Sequence, residues 1–152
     1  MSEHRATIEW SAAVSPDDFR KGRYSRAHRW SFDGGVTFEG SSSPSVVPAP
    51  WSNPAHVDPE EAYVASISSC HMLSFLYVAA KAGFAVTAYR DEAVGVMTKN
   101  ERGVAWVSRV TLAPRIAYGE REPTPDELAH LHHEAHEACF IANSVRTEIV
   151  VA

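Results

Sequence analysis

Residues 58–83 read DPEEAYVASISSCHMLSFLYVAAKAG, and this stretch decides the fold. It opens with an N-cap acid, a proline at the first helical position and a glutamate three residues after the cap. Residues 62–82 are nearly all apolar or small, and Gly83 favours an end to the helix. A helix over 59–82 would be about 36 Å long. Because it is apolar nearly all round, we expect a buried central helix.

The rest of the chain alternates between strand patterns and loop signals. Proline and glycine predict loops over 15–22 and over the proline-rich segment 41–58. A second helix starts at Thr124 and ends near Cys139 or Phe140. The predicted strands are residues 6–10, 28–32, 36–39, 86–97, 104–118 and 145–151. Strands combined with long helices over an antiparallel sheet predict an α+β fold, with one domain over residues 1–152.

The composition limits which partners the chain can have. Its 152 residues, 45% of them hydrophobic, are enough to bury a core. A net charge of −5 argues against long-range attraction to nucleic acid or an anionic membrane. The N-terminus lacks the layout of a signal peptide. The sequence contains no unbroken run of about 18 apolar residues, so it predicts no membrane span. We therefore expect the protein to be cytoplasmic. In that reducing compartment a permanent disulfide is disfavoured.

The two cysteines are either a redox pair or two buried structural thiols. Cys70 lies midway along the first long helix, whereas Cys139 lies at the C-terminal end of the second. The dipole at a helix C-terminus opposes a thiolate, so Cys70 is the better nucleophile and Cys139 the better resolving thiol. A thiol in an apolar helix needs a nearby cation, and His71 points about 100° away around the helix.

A cluster of basic residues could supply that cation. The guanidinium of arginine stays charged and can hydrogen-bond both a thiolate and a peroxide oxygen. If such an arginine is buried it needs a carboxylate, and Glu60 is a candidate because helix capping does not require it. The basic residues in question are Arg20, Lys21, Arg23, Arg26 and Arg29.

A metal site is a competing interpretation of the second helix. His132, His136 and Cys139 are spaced i, i+4 and i+7, so they share one helix face and could hold Zn²⁺. No fourth ligand is evident, and a polar helix face explains the same histidines. The sequence contains no nucleotide-binding loop, CxxC or HExxH motif.

Two separated groups of motifs resemble a known superfamily. The sequences are DPEEA at 58–62, SSCH at 68–71 and AHEAC at 135–139, with YSRAHRW at 24–30 and CFIANS at 139–144. The segments at 58–62 and 68–71 resemble the first cysteine helix of the OsmC/Ohr superfamily, and the segment at 135–139 resembles the second. The segments at 24–30 and 139–144 resemble an OsmC-like subgroup. The superfamily comprises the osmotically inducible protein C and the organic hydroperoxide resistance proteins. The resemblance covers nearly the whole chain.

This resemblance implies antiparallel sheets around a long buried central helix and a second cysteine helix, built as an intertwined homodimer. It also implies thiol-dependent reduction of organic hydroperoxides as part of a stress response, without metal, haem or flavin. Cys70 matches the peroxidatic cysteine, Cys139 the resolving cysteine, and Glu60 the carboxylate that holds the active-site arginine. For that arginine Arg26 is the first choice and Arg23 the alternative.

The implied partners are an organic hydroperoxide, an external dithiol reductant and a second copy of the chain. Lipoylated proteins supply the dithiol to some relatives. Glu60 and Cys70 are ten residues apart, or about 15 Å along a straight helix. An arginine–Glu60 pair beside Cys70 would therefore come from the partner subunit. Alternative functions are a small-molecule-binding or stress-associated protein of this fold without peroxidase turnover, and a zinc protein.

Overall fold

The computed structural model describes residues 1–152 and contains eight strands and three α-helices. The strands are β1 (Ala6–Glu9), β2 (His28–Phe32), β3 (Thr37–Gly40), β4 (Val86–Asp91), β5 (Val94–Lys99), β6 (Ala105–Leu112), β7 (Pro114–Tyr118) and β8 (Glu148–Val151). The helices are α1 (Pro16–Arg20), α2 (Pro59–Lys81) and α3 (Pro125–Ala138), with a 3₁₀ turn over Ala142–Ser144. The α+β fold class predicted from the sequence is confirmed.

The chain divides into two compact units, residues 1–62 and 63–152. The first contains an antiparallel sheet in the order β1-β2-β3, in which Trp30 lies opposite both Ile8 and Phe38. Strands β2 and β3 form an antiparallel hairpin, and Gly35 in its turn has a φ of +85°. Whether the two units behave as the single predicted domain stays a prediction.

Helix α1 corrects one sequence prediction, since residues 15–22 were expected to form a loop. The Oγ of Ser15 accepts a hydrogen bond from the backbone N of Asp18 at 3.1 Å, and proline occupies the first turn. These are the same start signals that identified the two longer helices. The helix ends after five residues, close to Gly22, which has a φ of +73°.

The second unit contains two sheets, in the orders β4-β7 and β5-β6-β8. All pairs are antiparallel except β6–β8, which is parallel. The prediction of single long strands over 86–97 and 104–118 is wrong. Each segment forms two strands, one in each sheet: β4 and β5 in the first segment, and β6 and β7 in the second. The Oδ1 of Asp91 accepts a hydrogen bond from the backbone N of Ala113 at 2.7 Å, which joins the two points of division.

Helix α2 has the predicted start, since Asp58 and Glu61 exchange backbone-to-carboxylate hydrogen bonds of 2.8 and 3.0 Å. Its buried side chains are spaced four residues apart: Ile67, His71, Phe75 and Ala79. Leu73 and Tyr77 are 61% and 60% exposed, so the expected burial all round is not found in the single chain. By length and composition alone α2 could span a membrane, but a core helix passes the same test.

Helix α3 begins and ends where the sequence predicted. The Oγ1 of Thr124 and the carboxylate of Glu127 form a reciprocal capping box, and Cys139 is the C-cap residue. Leu131 and Ala135 are buried on the face that packs in one core cluster with Phe75. The last strand, β8, is shorter than the predicted 145–151.

Candidate active site

The two cysteines of the second unit are free thiols, and their sulfurs contact two consecutive backbone amides, those of Ile141 and Ala142. Cys70 is half-buried on α2, whereas Cys139 at the end of α3 is 1% exposed. Burial raises the pKa of the Cys139 thiol, and a hydrogen bond with Cys70 raises it further. The resting pair therefore combines an accessible sulfur with a buried one that stays protonated near neutral pH.

Two consecutive backbone amides after α3 face the two sulfurs. The N–H of Ile141 donates to the Sγ of Cys70 at 3.5 Å, and the N–H of Ala142 donates to the Sγ of Cys139 at 3.4 Å. Hydrogen bonds to sulfur stabilise negative charge there, and those near Cys139 oppose the rise in its pKa. The geometry can therefore stabilise charge at either sulfur.

Asn143 holds the segment that carries these amides. Its Nδ2 donates to the carbonyl oxygens of Glu137 and Cys139, both at 2.9 Å. The Oγ of Ser144 donates to the carbonyl oxygen of Phe140 at 2.7 Å. This role of Asn143 was not predicted from the sequence. The signal that could have identified this role is an amide side chain directly after a cysteine-capped helix.

His71 cannot provide the positive charge that a thiolate needs. Its Nε2 lies 3.0 Å from the Nδ1 of His132, and its side chain is fully buried. Burial, with His132 and His136 nearby, lowers the pKa of His71 from 6.5 to about 4, although Asp91 opposes this effect. His71 is therefore neutral at pH 7.

The predicted zinc ligands His132, His136 and Cys139 do not form a ligand group. No group of three or more His, Cys, Asp or Glu side chains in the structure is arranged to hold a metal ion. Instead, His132 faces the imidazole of His71, and the sulfur of Cys139 faces Cys70 and the Ala142 amide. The spacing along α3 is correct for zinc, but the side chains have other partners.

In the first unit, Arg26 is fixed in place whereas Arg23 is a surface residue. The Nη1 of Arg26 donates to the carbonyl oxygens of Gly22 and Tyr24 at 2.7 and 2.6 Å. Its guanidinium lies 3.8 Å from the centre of the Tyr24 ring. The side chain of Arg23 is 59% exposed and pairs with Asp18 at 3.8 Å. The geometry therefore favours Arg26 as the functional arginine.

Arg26 and Glu60 line the same cavity of about 450 Å³ within the first unit. No ion pair joins them, so the predicted carboxylate–arginine contact is absent from the single chain. Three aromatic side chains, Trp10, Phe19 and Tyr24, form part of the wall of the cavity. A cation and a carboxylate thus face an apolar space large enough for a small organic molecule.

A family model described as "OsmC-like protein" matches residues 52–152. The chain belongs to the OsmC family. An OsmC-like protein of unknown function from Vibrio cholerae is 50% identical, with a TM-score of 0.93 and coverage of 100% of this chain and 99% of the other. No protein with a curated description matches the chain.

Two more distant structures share the fold. An organic hydroperoxide resistance protein from Elizabethkingia anophelis is 20% identical, with a TM-score of 0.74 and coverage of 100% and 96% of the two chains. The protein OhrB from Bacillus subtilis, also an organic hydroperoxide resistance protein, is 19% identical, with a TM-score of 0.67 and coverage of 99% and 95%. At these identities the likeness concerns the fold alone.

In this OsmC-family chain two phenylalanines of the second unit differ in exposure. Phe75 is fully buried in the core with Ala79 and Phe84. Phe140 directly follows Cys139 and is 83% exposed. The side chain next to the buried thiol therefore presents an open apolar surface.

Proposed function

We propose that the chain is a two-cysteine thiol peroxidase that reduces organic hydroperoxides to alcohols. The observation that carries the proposal is that two consecutive backbone amides contact the two free thiols: the N–H of Ile141 lies 3.5 Å from the sulfur of the half-buried Cys70, and the N–H of Ala142 lies 3.4 Å from the sulfur of the buried Cys139. A peroxide can reach only the more exposed sulfur, and the resolving thiol is already beside it. Family membership and the names of the two hydroperoxide resistance proteins support the same activity.

The reaction has three steps. The Cys70 thiolate attacks the terminal oxygen of the hydroperoxide, and the O–O bond breaks. With one proton the leaving alkoxide becomes the alcohol, and Cys70 is left as a sulfenic acid. The thiol of Cys139 then attacks that sulfur, which forms the Cys70–Cys139 disulfide and releases water. An external dithiol reduces this disulfide to two thiols and is itself oxidised to a disulfide.

Arg26 and Glu60 have supporting roles in this proposal. In the homodimer, the guanidinium of the partner subunit's Arg26 stabilises the thiolate and orients the peroxide, and the partner subunit's Glu60 holds that guanidinium. Both residues line one cavity, and Arg26 is already held by two backbone carbonyls. We assign Arg26 rather than Arg23 because the latter is a solvent-exposed partner of Asp18.

We also propose that the active form is a homodimer in the cytoplasm. Leu73 and Tyr77 form an exposed apolar face of α2, and the β5 residues Val94 and Val96 are 58% and 47% exposed. Apolar faces of this kind support association with a second copy. Two free thiols fit a reducing compartment, where a dithiol reductant is available.

The proposal is tested by counting free thiols after reduced protein is mixed with one equivalent of cumene hydroperoxide. We expect rapid loss of two thiols per chain, no loss from Cys139 in the Cys70→Ser variant, and a trapped sulfenic acid at Cys70 in the Cys139→Ser variant. Unchanged thiols over minutes would overturn the peroxidase proposal and favour a binding or stress-associated protein of this fold.

A further inference from the structure

The cavity that contains Arg26 and Glu60 has a wall made of three contacting aromatic rings. The rings of Phe19 and Tyr24 stack with centroids 4.7 Å apart and an interplanar angle of 23°. The ring of Trp10 meets that of Tyr24 edge-on at 5.6 Å and 73°. Trp10 and Phe19 are nevertheless 43% and 47% exposed. The cluster therefore leaves a large aromatic surface open.

The rings are held in place before any ligand binds. The Nε1 of Trp10 donates to the carbonyl oxygen of Ser25 at 2.9 Å. Phe19 is carried by α1, whose start is capped by Ser15. The guanidinium of Arg26 lies over the ring of Tyr24. A wall that is already ordered loses little conformational freedom when a ligand packs against it.

The cavity has a polar end next to this aromatic wall. Only the Nη1 of Arg26 is engaged, by the carbonyl oxygens of Gly22 and Tyr24, so Nε and Nη2 are left as charged donors without partners in the chain. Glu60 lines the same cavity and also has no partner in the chain. An occupant should therefore combine a flat apolar group with an oxygen that accepts hydrogen bonds from a guanidinium.

We propose that this cavity binds the organic group of an aromatic hydroperoxide, with its ring against Trp10, Phe19 and Tyr24 and its peroxide oxygen facing Arg26. This inference rests on the proposed peroxidase function. Edge-on and offset contacts between rings add about a tenfold gain in affinity beyond that from apolar area alone. A flexible alkyl chain lacks those contacts and loses more rotational freedom on binding.

Two substrates separate ring recognition from general peroxide reactivity. Cumene hydroperoxide and tert-butyl hydroperoxide share a tertiary peroxide carbon and differ only in a phenyl group that replaces a methyl group. We expect kcat/KM to be about tenfold or more higher for cumene hydroperoxide. The Phe19→Leu and Trp10→Leu variants should lower that ratio towards one. Equal rates for both substrates in the unaltered protein would overturn the inference while leaving peroxidase activity itself intact.

Phe32→Leu is the matched control, because Phe32 is a 37% exposed phenylalanine of the same unit that contacts Phe38 and does not line the cavity. This variant should keep the substrate ratio of the unaltered protein. If Phe32→Leu lowers the ratio as much as Phe19→Leu, or if neither cavity variant lowers it, the aromatic wall does not select the substrate.

Binding without turnover gives a second measurement. The Cys70→Ser protein is titrated with 2-phenylpropan-2-ol, the alcohol product of cumene hydroperoxide, and with tert-butanol as control, while the indole N–H signals of the four tryptophans are followed by NMR. We expect a saturable shift of the Trp10 signal with the aromatic alcohol only. No shift overturns the cavity assignment. If the Trp10 signal shifts but the unaltered protein loses no thiols when it is mixed with cumene hydroperoxide, the cavity binds an aromatic molecule that is not a hydroperoxide substrate, and the inference is wrong.

Discussion

The backbone N–H of Ile141 points at the sulfur of Cys70 across 3.5 Å, and the next amide, that of Ala142, points at the sulfur of Cys139 across 3.4 Å. One short segment after α3 therefore donates to both thiols. A sulfur that gains charge during the reaction finds a hydrogen-bond donor already oriented towards it.

The first prediction concerns Asn143, which holds this segment through the carbonyl oxygens of Glu137 and Cys139. In Asn143→Ala the two amides lose their fixed direction, so we expect Cys70 to react several-fold more slowly with iodoacetamide at pH 7. Mass spectrometry at each cysteine measures the rate. Asn100→Ala is the control, because Asn100 holds a turn through two backbone amides far along the chain from either thiol. Equal slowing in both variants would point to a loss of stability instead.

The second prediction concerns the protonation of Cys139. Burial and the hydrogen bond with Cys70 both raise the pKa of its thiol above the ordinary range. Cys70→Ala removes the hydrogen bond and leaves Cys139 buried. The pKa of Cys139 should therefore fall but stay above that of an exposed cysteine. The pH dependence of alkylation at Cys139 in both proteins tests this. A pKa that rises after the substitution contradicts the assigned cause.

The third prediction distinguishes the two candidate arginines. Lysine cannot reproduce the two-carbonyl contact of the Arg26 guanidinium or offer its planar donors to a peroxide. We expect Arg26→Lys to lower kcat/KM for organic hydroperoxides by about a hundredfold, whereas Arg23→Lys changes it little because Arg23 is exposed. Peroxidase kinetics with both variants measure the difference. The reverse order would assign the role to Arg23.

The helix boundaries were predictable because they depend on local signals. The caps at Asp58 and Thr124 and the stop at Gly83 act within a few residues, and each is found where the sequence placed it. The same reasoning overlooked α1, although Ser15 and Pro16 carry the same signal. The segment 15–22 also contains a proline, two aspartates and a glycine, which are typical of loops.

Long-range features were not predictable from local pattern. Strand-forming residues lie on both sides of Glu92 and Ala113, and the charged run at 90–92 and Pro114 do not by themselves show that the chain changes sheets at those points. The proximity of Cys70 and Cys139, whose sulfurs contact consecutive amides, joins residues on two helices, and only the resemblance to OsmC proteins suggested it. The Nη1 of Arg26 is held by two backbone carbonyl oxygens, and a motif made of side chains does not predict such a contact.

The fourth prediction concerns association through the exposed apolar face of α2. Leu73→Asp places a charge where the single chain leaves an apolar side chain 61% exposed. If a second copy covers this face, the variant should sediment as a monomer at concentrations where the unaltered protein is a dimer. Val104→Asp, at a 52% exposed position beside the β5–β6 turn, should leave the dimer intact. A monomeric unaltered protein would count against the homodimer.

The last prediction concerns stability at low pH and follows from His71. The pKa of His71 is about 4 in the folded protein, whereas an unperturbed histidine, as in the unfolded chain, has a pKa of 6.5. As the pH falls, the unfolded chain is therefore protonated at His71 before the folded protein is. The neutral His71 therefore contributes to the free energy of unfolding in full above pH 6.5, and this contribution is lost as the pH falls from about 6.5 to 4. The loss amounts to about 3 kcal/mol in the free energy of unfolding. His132 and His136 act in the same direction as burial, whereas Asp91 opposes it.

In His71→Leu this contribution to the pH dependence disappears, so the stability of the variant should fall less steeply between pH 6.5 and 4 than that of the unaltered protein. Urea unfolding at several pH values measures the slope directly, even if the substitution lowers stability at pH 7. His133→Leu removes an exposed histidine from α3 and should keep the steep slope. Parallel slopes for the unaltered protein and His71→Leu would show that the buried imidazole is not the group that titrates.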